Sequence, residues 1–419
     1  MEEFGYATDY RLPLAMRFQN GLLTLLGKGK AAVSVEALCE AACKQTGLTD
    51  FGDESALVGL DALVEAFNRG SRPSFMTRLM FVNFCKQALV KRLEVVDCLN
   101  KHPEIRDQPL RKPLFITGLP RTGTTFLQNL LAQDPRARPL LTWEQQRPCP
   151  PPKPETYDED PRIAKARAGL AHFYKLVPIY QAVHRMEAQA PEECNGLLDP
   201  AFCSVLAATA YPVKGFFSWM LNQDMSGAYR FYKQELQLLD WCFPQGRHWV
   251  LKAPLHLNFL DALAEVFPDA AVVMTHRDPL QVLPSAASLS YLLRAVHGAR
   301  LPGPEIGRLT LDRLARSMER ALSVRANGRA PAVLDVSYQA LIGDPLATVR
   351  SIYHHFGYPW HDDLEERLTK WVTARQQKPG PRHRYDLQRF GMDEGQIRER
   401  FAFYWGDGGA LSPETRRNR

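Results

Sequence analysis

Residues 113–135, Pro-Leu-Phe-Ile-Thr-Gly-Leu-Pro-Arg-Thr-Gly-Thr-Thr-Phe-Leu-Gln-Asn-Leu-Leu-Ala-Gln-Asp-Pro, leave the chain few choices of fold. Leu114 to Thr117 is a short apolar run suited to a buried strand. Gly118 and Gly123 frame a turn. Phe126, Leu127, Leu130 and Leu131 then recur at helical spacing. Strand, glycine turn and helix in that order aim loop N–H groups and a helix N-terminus at one point. The helix dipole favours an anion there.

The turn nearly fits the nucleotide-binding pattern G-x-x-x-x-G-K-[ST]. Gly118 and Gly123 have the spacing and Thr125 has the hydroxyl, but position 124 is Thr instead of Lys. In that pattern the lysine reaches the outer phosphates of a nucleoside triphosphate and the hydroxyl holds Mg²⁺. A cation appears inside the loop instead, at Arg121. The spacing therefore predicts a smaller phosphate or sulfate group, held by Arg121, Thr124, Thr125 and loop amides.

Further α/β units follow. Trp249–Lys252, Ala271–His276 and Ala332–Tyr338 read as strands. Leu257–Phe267, Pro279–Arg294 and Pro345–Phe356 read as helices. Repeated strand-then-helix units imply a parallel sheet covered on both faces. Ligands on such sheets sit at the carboxyl ends of the strands. The glycine loop, Lys252, Arg277 and Tyr338 all fall there. Arg277 and Ser285 are eight apart in the sequence, so a strand end and the following helix can present both to one phosphate. The alternative for Arg277 is a surface pair with Asp278. Lys252 at the end of a buried strand calls for a nearby anion, or else reaches out to solvent.

The Pro-Arg-Thr-Gly-Thr-Thr loop resembles the 5′-phosphosulfate loop of sulfotransferases that use 3′-phosphoadenosine-5′-phosphosulfate (PAPS). Its arginine is similar to the bacterial-type branch related to the tyrosylprotein enzymes. The resemblance runs from about Thr46 to Tyr404 and is specific at two motifs. It implies that Arg121, Thr122, Gly123, Thr124 and Thr125 hold the 5′-phosphosulfate and that Arg277 and Ser285 hold the 3′-phosphate. It implies Lys252 and Arg121 beside the transferring sulfonate. Tyr338 lies near the adenine by the same resemblance, or is a core aromatic. Sulfonate transfer to a hydroxyl or amine also needs a proton acceptor. The resemblance offers His256, four residues after Lys252, or Glu144, after the loop; His184, Glu192 and Glu193 are the remaining candidates. Arg382 and Arg384 lie in a block similar to the same branch. The implied reaction is in-line displacement by an acceptor, with PAPS as co-substrate, PAP as product and no metal. The rival readings are a P-loop kinase or NTPase and a non-catalytic module that binds PAP or PAPS.

Around this core the expected fold class is α/β, a P-loop-like parallel sheet covered by helices. Residues 1–105 form a helical extension, with helices at Val35–Cys43, Glu54–Phe67 and Phe75–Leu99. Residues 106–419 form the α/β domain, including a mainly helical acceptor-side insertion at about 155–245. Leu141 onward reads as a short strand or edge. The aromatics of the insertion read as core or as the lining of an acceptor pocket. Lys+Arg 52 against Asp+Glu 46 gives +6, a mild excess that suits an anionic ligand and does not argue for nucleic acid. The eight cysteines make no Cys-x-x-Cys pair or metal-spaced cluster, so a reducing, cytoplasmic setting and no structural metal are expected. No apolar run approaches the roughly 20 residues of a membrane span. The expected acceptor is a small molecule, a glycan or a lipid.

Overall fold

The structure, a computed structural model, describes residues 3–70, 73–243, 247–377 and 382–405, without the side chains of Glu3, Arg382 and His383. Its strands are β1 (Glu3–Tyr6), β2 (Leu114–Gly118), β3 (Ala137–Pro139), β4 (His248–Lys252), β5 (Ala271–His276), β6 (Ala332–Ser337) and β7 (Arg382–Arg384). Five of them make one parallel sheet in the order β3-β4-β2-β5-β6. The other two, β1 and β7, form a small parallel pair. The strand of the glycine loop, β2, is therefore central. Ile116 lies opposite Lys252 on one side and Val273 on the other, and Gly118 lies opposite Thr275, so β2, β4 and β5 reach their carboxyl ends together.

Both faces of the inner strands β4, β2 and β5 are buried, and the period-2 alternation of side chains sorts them. Phe115, Trp249, Leu251, Val272 and Met274 face one core, which also takes Leu60, Leu63, Phe81 and Leu89 from the N-terminal helices. Leu114, Ile116, Val250 and Val273 face the other, packed on Leu127, Leu130, Val349 and Ile352. The N-terminal helices thus share a continuous core with the sheet. They run Val35–Thr46, Ser55–Asn68 and Phe75–Lys101. Asp53 receives the N–H of Ser55 at 2.7 Å at the start of the second.

Three long helices had no counterpart in the sequence reading: Leu14–Leu25, Gly303–Ala326 and Asp362–Gln377. Two expected boundaries also move. Residues 142–146 form a short helix and not a strand, because the Glu144 carboxylate receives the Leu141 N–H at 3.0 Å and caps its first turn. Tyr338 opens the helix Tyr338–Gly343 and does not close β6, because the Ser337 hydroxyl accepts the Ala340 N–H at 3.1 Å.

Candidate active site

The glycine loop sits at the carboxyl end of β2. Gly118 has φ 141° and Gly123 φ 94°, both in the region where a side chain is strained. A Cβ on Gly118 would stand 2.5 Å from the Thr275 carbonyl oxygen, so only glycine lets β2 and β5 stay paired there. Arg121 takes φ 71° without being glycine, held by tertiary contacts. Its Nε donates to Ser285 Oγ at 3.1 Å, and its Nη1 donates to the Val183 carbonyl at 3.0 Å. Arg277 donates from Nη1 to the Arg121 carbonyl at 3.0 Å, and its guanidinium lies 4.1 Å above the Tyr338 ring. Arg121, Arg277, Ser285 and Tyr338 are therefore one contiguous group. Burial, reinforced by Arg277 but opposed by Tyr385, lowers the Arg121 pKa below the ordinary arginine value.

The loop threonines divide. Thr122 is turned inward: its hydroxyl donates to the Leu119 carbonyl and lies 2.6 Å from Thr275 Oγ1. Thr124 and Thr125 open the helix Thr124–Leu131, with Thr124 buried and Thr125 exposed. The Lys252 ammonium, 1% exposed, donates to Glu193 Oε1 at 2.8 Å and to Thr125 Oγ1 at 3.3 Å. It is thus a buried cation with an acidic partner beside the loop and does not reach out to solvent.

That partner comes from the segment 191–194. The Cys194 N–H bonds the Lys252 carbonyl at 2.9 Å, and the Glu192 N–H bonds the Leu140 carbonyl at 2.8 Å, so the segment is fastened to the sheet's end. Glu192 is paired with His184, Nε2 to Oε1 at 3.0 Å. Burial works against both charges. Glu192 nevertheless raises the His184 pKa above the ordinary imidazole value, and His184, then Lys252, bring Glu192 below the ordinary carboxyl value.

From the loop a cavity of about 960 Å³ runs into the helical part of the molecule. Gly118, Leu119, Pro120, His184, Glu192 and Glu193 line its inner end. Phe84, Leu206, Leu289, Leu293 and Leu314 give it apolar walls, and Asn83, Gln87, Lys91, Ser290 and Arg313 add polar points. Of the aromatics in the insertion, Tyr180 and Tyr211 reach it, whereas Phe202, Phe216, Tyr229 and Tyr232 are buried in cores.

The two foremost proton acceptors of the sequence reading do not line this cavity. His256 is fully buried behind β2, edge-on to Phe115, with Nδ1 2.8 Å from the Tyr229 hydroxyl. Burial pushes its pKa down to about 3. Glu144 is fully buried too, held by both terminal nitrogens of Arg138, by the Tyr157 hydroxyl at 2.9 Å and by the Leu141 N–H at 3.0 Å. Its lone pairs are spent on structure. The spacing to the lysine and to the loop carried no information about which way these side chains face. Asn83, Gln87 and Lys91 went unnoticed because polar residues at i, i+4 and i+8 on a helix of mixed polar and apolar residues read as a solvated stripe. The Arg384 backbone lies on β7, and the Arg382 side chain is outside the described residues.

A central parallel strand running into a glycine loop, with an adjoining cavity at the sheet's carboxyl edge, defines a P-loop-like α/β protein. The family model described as "Sulfotransferase family" matches residues 113–362, more than half of the chain, and the chain belongs to that family. It is an enzyme that transfers sulfo groups. The chain is similar to omega-hydroxy-beta-dihydromenaquinone-9 sulfotransferase Stf3 of Mycobacterium tuberculosis, 25% identical over 309 residues, 70% of this chain and 75% of that protein. Among solved structures it resembles sulfotransferase STF1 of Mycobacterium tuberculosis (TM-score 0.79, 32% identity, 90% of this chain and 99% of that one). It also resembles STF9 of Mycobacterium avium (TM-score 0.79, 28% identity, 88% and 95%).

Proposed function

We propose that the chain transfers the sulfonate of PAPS to a hydroxyl of an apolar, lipid-like acceptor held in the cavity. The observation that carries this reading is the convergence on one sheet edge of a phosphate-type loop, a paired arginine–serine group and a buried Lys–Glu pair, all beside the cavity's inner end. The residues fit the donor. The loop amides with Thr124 and Thr125 suit the 5′-phosphosulfate. Arg277 and Ser285, joined through Arg121, suit the 3′-phosphate, and Tyr338 offers an aromatic face. Apolar walls favour a lipid over a glycan as acceptor, and the named substrate of Stf3, a hydroxylated menaquinone derivative, agrees with that choice.

The donor supplies an activated sulfonate, whose bond to the 5′-phosphate oxygen breaks as the acceptor oxygen bonds to sulfur. The acceptor's proton goes to Glu193. Glu192 is already committed to His184, and Glu193 is the carboxylate that touches Lys252. Lys252 and Arg121 meet the negative charge that grows on the departing oxygen, a preorganised electrostatic contribution.

The test is calorimetry of PAP with EDTA present, beside Mg²⁺-ATP. PAP is expected to bind without metal, and Arg277→Ala is expected to weaken it by roughly 1.5–3 kcal/mol, the scale of a charged hydrogen bond. Binding of Mg²⁺-ATP alone would make this a kinase-like protein and end the reading. Binding of PAP without turnover across an acceptor series would reduce it to a donor-binding module.

A further inference from the structure

The helix Leu14–Leu25 has no buried residue. Its Leu14, Phe18, Leu22 and Leu25 recur at i, i+4, i+8 and i+11, one stripe, and are 77%, 73%, 47% and 85% exposed. Leu26 extends the stripe at 65%. Isolated exposed leucines need no explanation, but a continuous apolar stripe does.

The opposite face of the same helix is fastened down. Asn20 Oδ1 accepts the Met76 N–H at 2.8 Å, and Thr24 Oγ1 accepts the Phe75 N–H at 3.0 Å. These bonds fix the helix across the start of Phe75–Lys101 and commit its apolar side to the outside. One turn further along that long helix, Leu79 is 54% exposed and also lines the cavity, as does Met80. The helix that carries the stripe is thus fastened about one turn from residues that line the cavity.

Charge identifies what covers the stripe. Between Asp9 and Glu36 the chain has no acidic residue and carries Arg11, Arg17, Lys28 and Lys30, all exposed. An apolar helix face flanked only by cations is the pattern of a helix lying in the interface of an anionic membrane. A face that pairs with a second copy would have to bring these cations together in that copy as well.

We propose that Leu14–Leu25 is an interfacial helix that seats the enzyme on an anionic lipid surface, with the cavity opening beside the bilayer. No helix among the described residues is long and apolar enough to cross a membrane, so the contact is peripheral. An apolar acceptor then passes from the bilayer past Leu79 without crossing water. This purpose rests on the lipid-acceptor reading above, whereas the docking itself can be measured apart from turnover.

The full chain is floated with vesicles of phosphatidylglycerol and, separately, of phosphatidylcholine. The wild type is expected to float with the anionic vesicles. Phe18→Glu with Leu22→Glu, both on the exposed face, is expected to reduce that binding roughly tenfold or more, since binding of such a helix scales with the apolar area it buries. Lys28→Glu with Lys30→Glu is expected to reduce it in the anionic vesicles only. PAP binding and the melting temperature are to remain as in the wild type for both variants. Absence of wild-type binding to phosphatidylglycerol, or binding that survives Phe18→Glu with Leu22→Glu, overturns the proposal. So does a concentration-dependent dimer that these substitutions abolish, which would assign the stripe to a second copy. PAP binding that fails in the wild type sinks the sulfonate-transfer reading instead and leaves the vesicle result standing by itself.

Discussion

At the residue scale, proton transfer is decided by which side chain faces the cavity. A general base must reach its proton and hold a pKa suited to the task. His256 meets neither demand: it is sealed behind β2, and burial keeps it neutral down to about pH 3. Glu144 has its oxygens occupied by Arg138, Tyr157 and the Leu141 N–H. Glu193 stands at the cavity's inner end and touches the cation that the sulfonate would neighbour. Glu193→Gln is expected to lower kcat by roughly 10²–10⁴-fold, the usual contribution of a positioned base, while PAP binds as well as before or better. His256→Gln is expected to keep kcat per folded molecule and to lose stability, because the Tyr229 hydroxyl loses its partner. Single-turnover rates beside denaturation curves would check both. Full turnover in Glu193→Gln would remove it from the chemistry.

At the element scale, β2, the loop and the helix Thr124–Leu131 form a unit that short-range rules recognise. An apolar run, two glycines five apart and a helical repeat are local signals, and each element depends mainly on its own residues. The glycines differ in what they do, and this can be measured. Gly118→Ala is expected to cost at least about 2 kcal/mol, from a strained φ together with a clash against the Thr275 carbonyl. It should also weaken PAP, since the loop must shift. Gly169 sits exposed within the helix Pro161–Leu176 with open space around it, so Gly169→Ala is expected to stabilise by about 0.5–1 kcal/mol. Thermal melts of the two variants, read against the wild type, should move in opposite directions. The missed helices were harder to read. Gly303–Ala326 carries five arginines between its apolar positions, and the helix is tied to other elements: Arg325 pairs with Asp335 and Arg320 with Asp261.

At the scale of the whole molecule, buried histidines make stability depend on pH. The folded pKa of His256 is about 3 and that of His248 about 4, both depressed by burial. Unfolded imidazoles titrate near ~6.5, so below that pH the unfolded chain takes up protons that the folded chain refuses. Their combined contribution is intact above about pH 6.5 and is lost as pH falls from there, to about 4 for His248 and on to about 3 for His256, where each folded imidazole accepts its proton. The His184–Glu192 pair acts in the opposite sense at its histidine. The raised His184 value contributes stability that is present below about pH 6.5 and fades as pH rises through the folded value. The histidine contribution is therefore expected to fall between pH 6.5 and 5, opposed by the carboxyls of Glu235 and Asp199, which burial raises, to about 6 for Asp199. His256→Gln should change the slope of denaturant midpoint against pH by up to about 1.4 kcal/mol per pH unit in the direction of greater acid stability. An unchanged slope in His256→Gln would show that His256 titrates normally. The same acid range leaves the Asp335 lock intact. Burial works against its charge, but His276 and Arg325 hold this carboxylate well below the usual range.

The sequence by itself determined the parallel α/β class, the glycine loop with its flanking strand and helix, and the strand-end positions of Lys252 and Arg277. All of these follow from periodicity and spacing, which act over a few residues. Only the tertiary structure decided which side chains share a space. Arg121 meets Ser285 across 164 residues, and Lys252 meets Glu193 across 59. It also decided that His256 and Glu144 are enclosed by the core while Glu193 borders the cavity. A side chain's direction there depends on what the distant chain packs against it, and no local pattern carries that information. The apolar stripe of Leu14–Leu25 shows the same division. The residues are plain in the sequence, but that they face outward follows from Asn20 and Thr24 being bound to Met76 and Phe75.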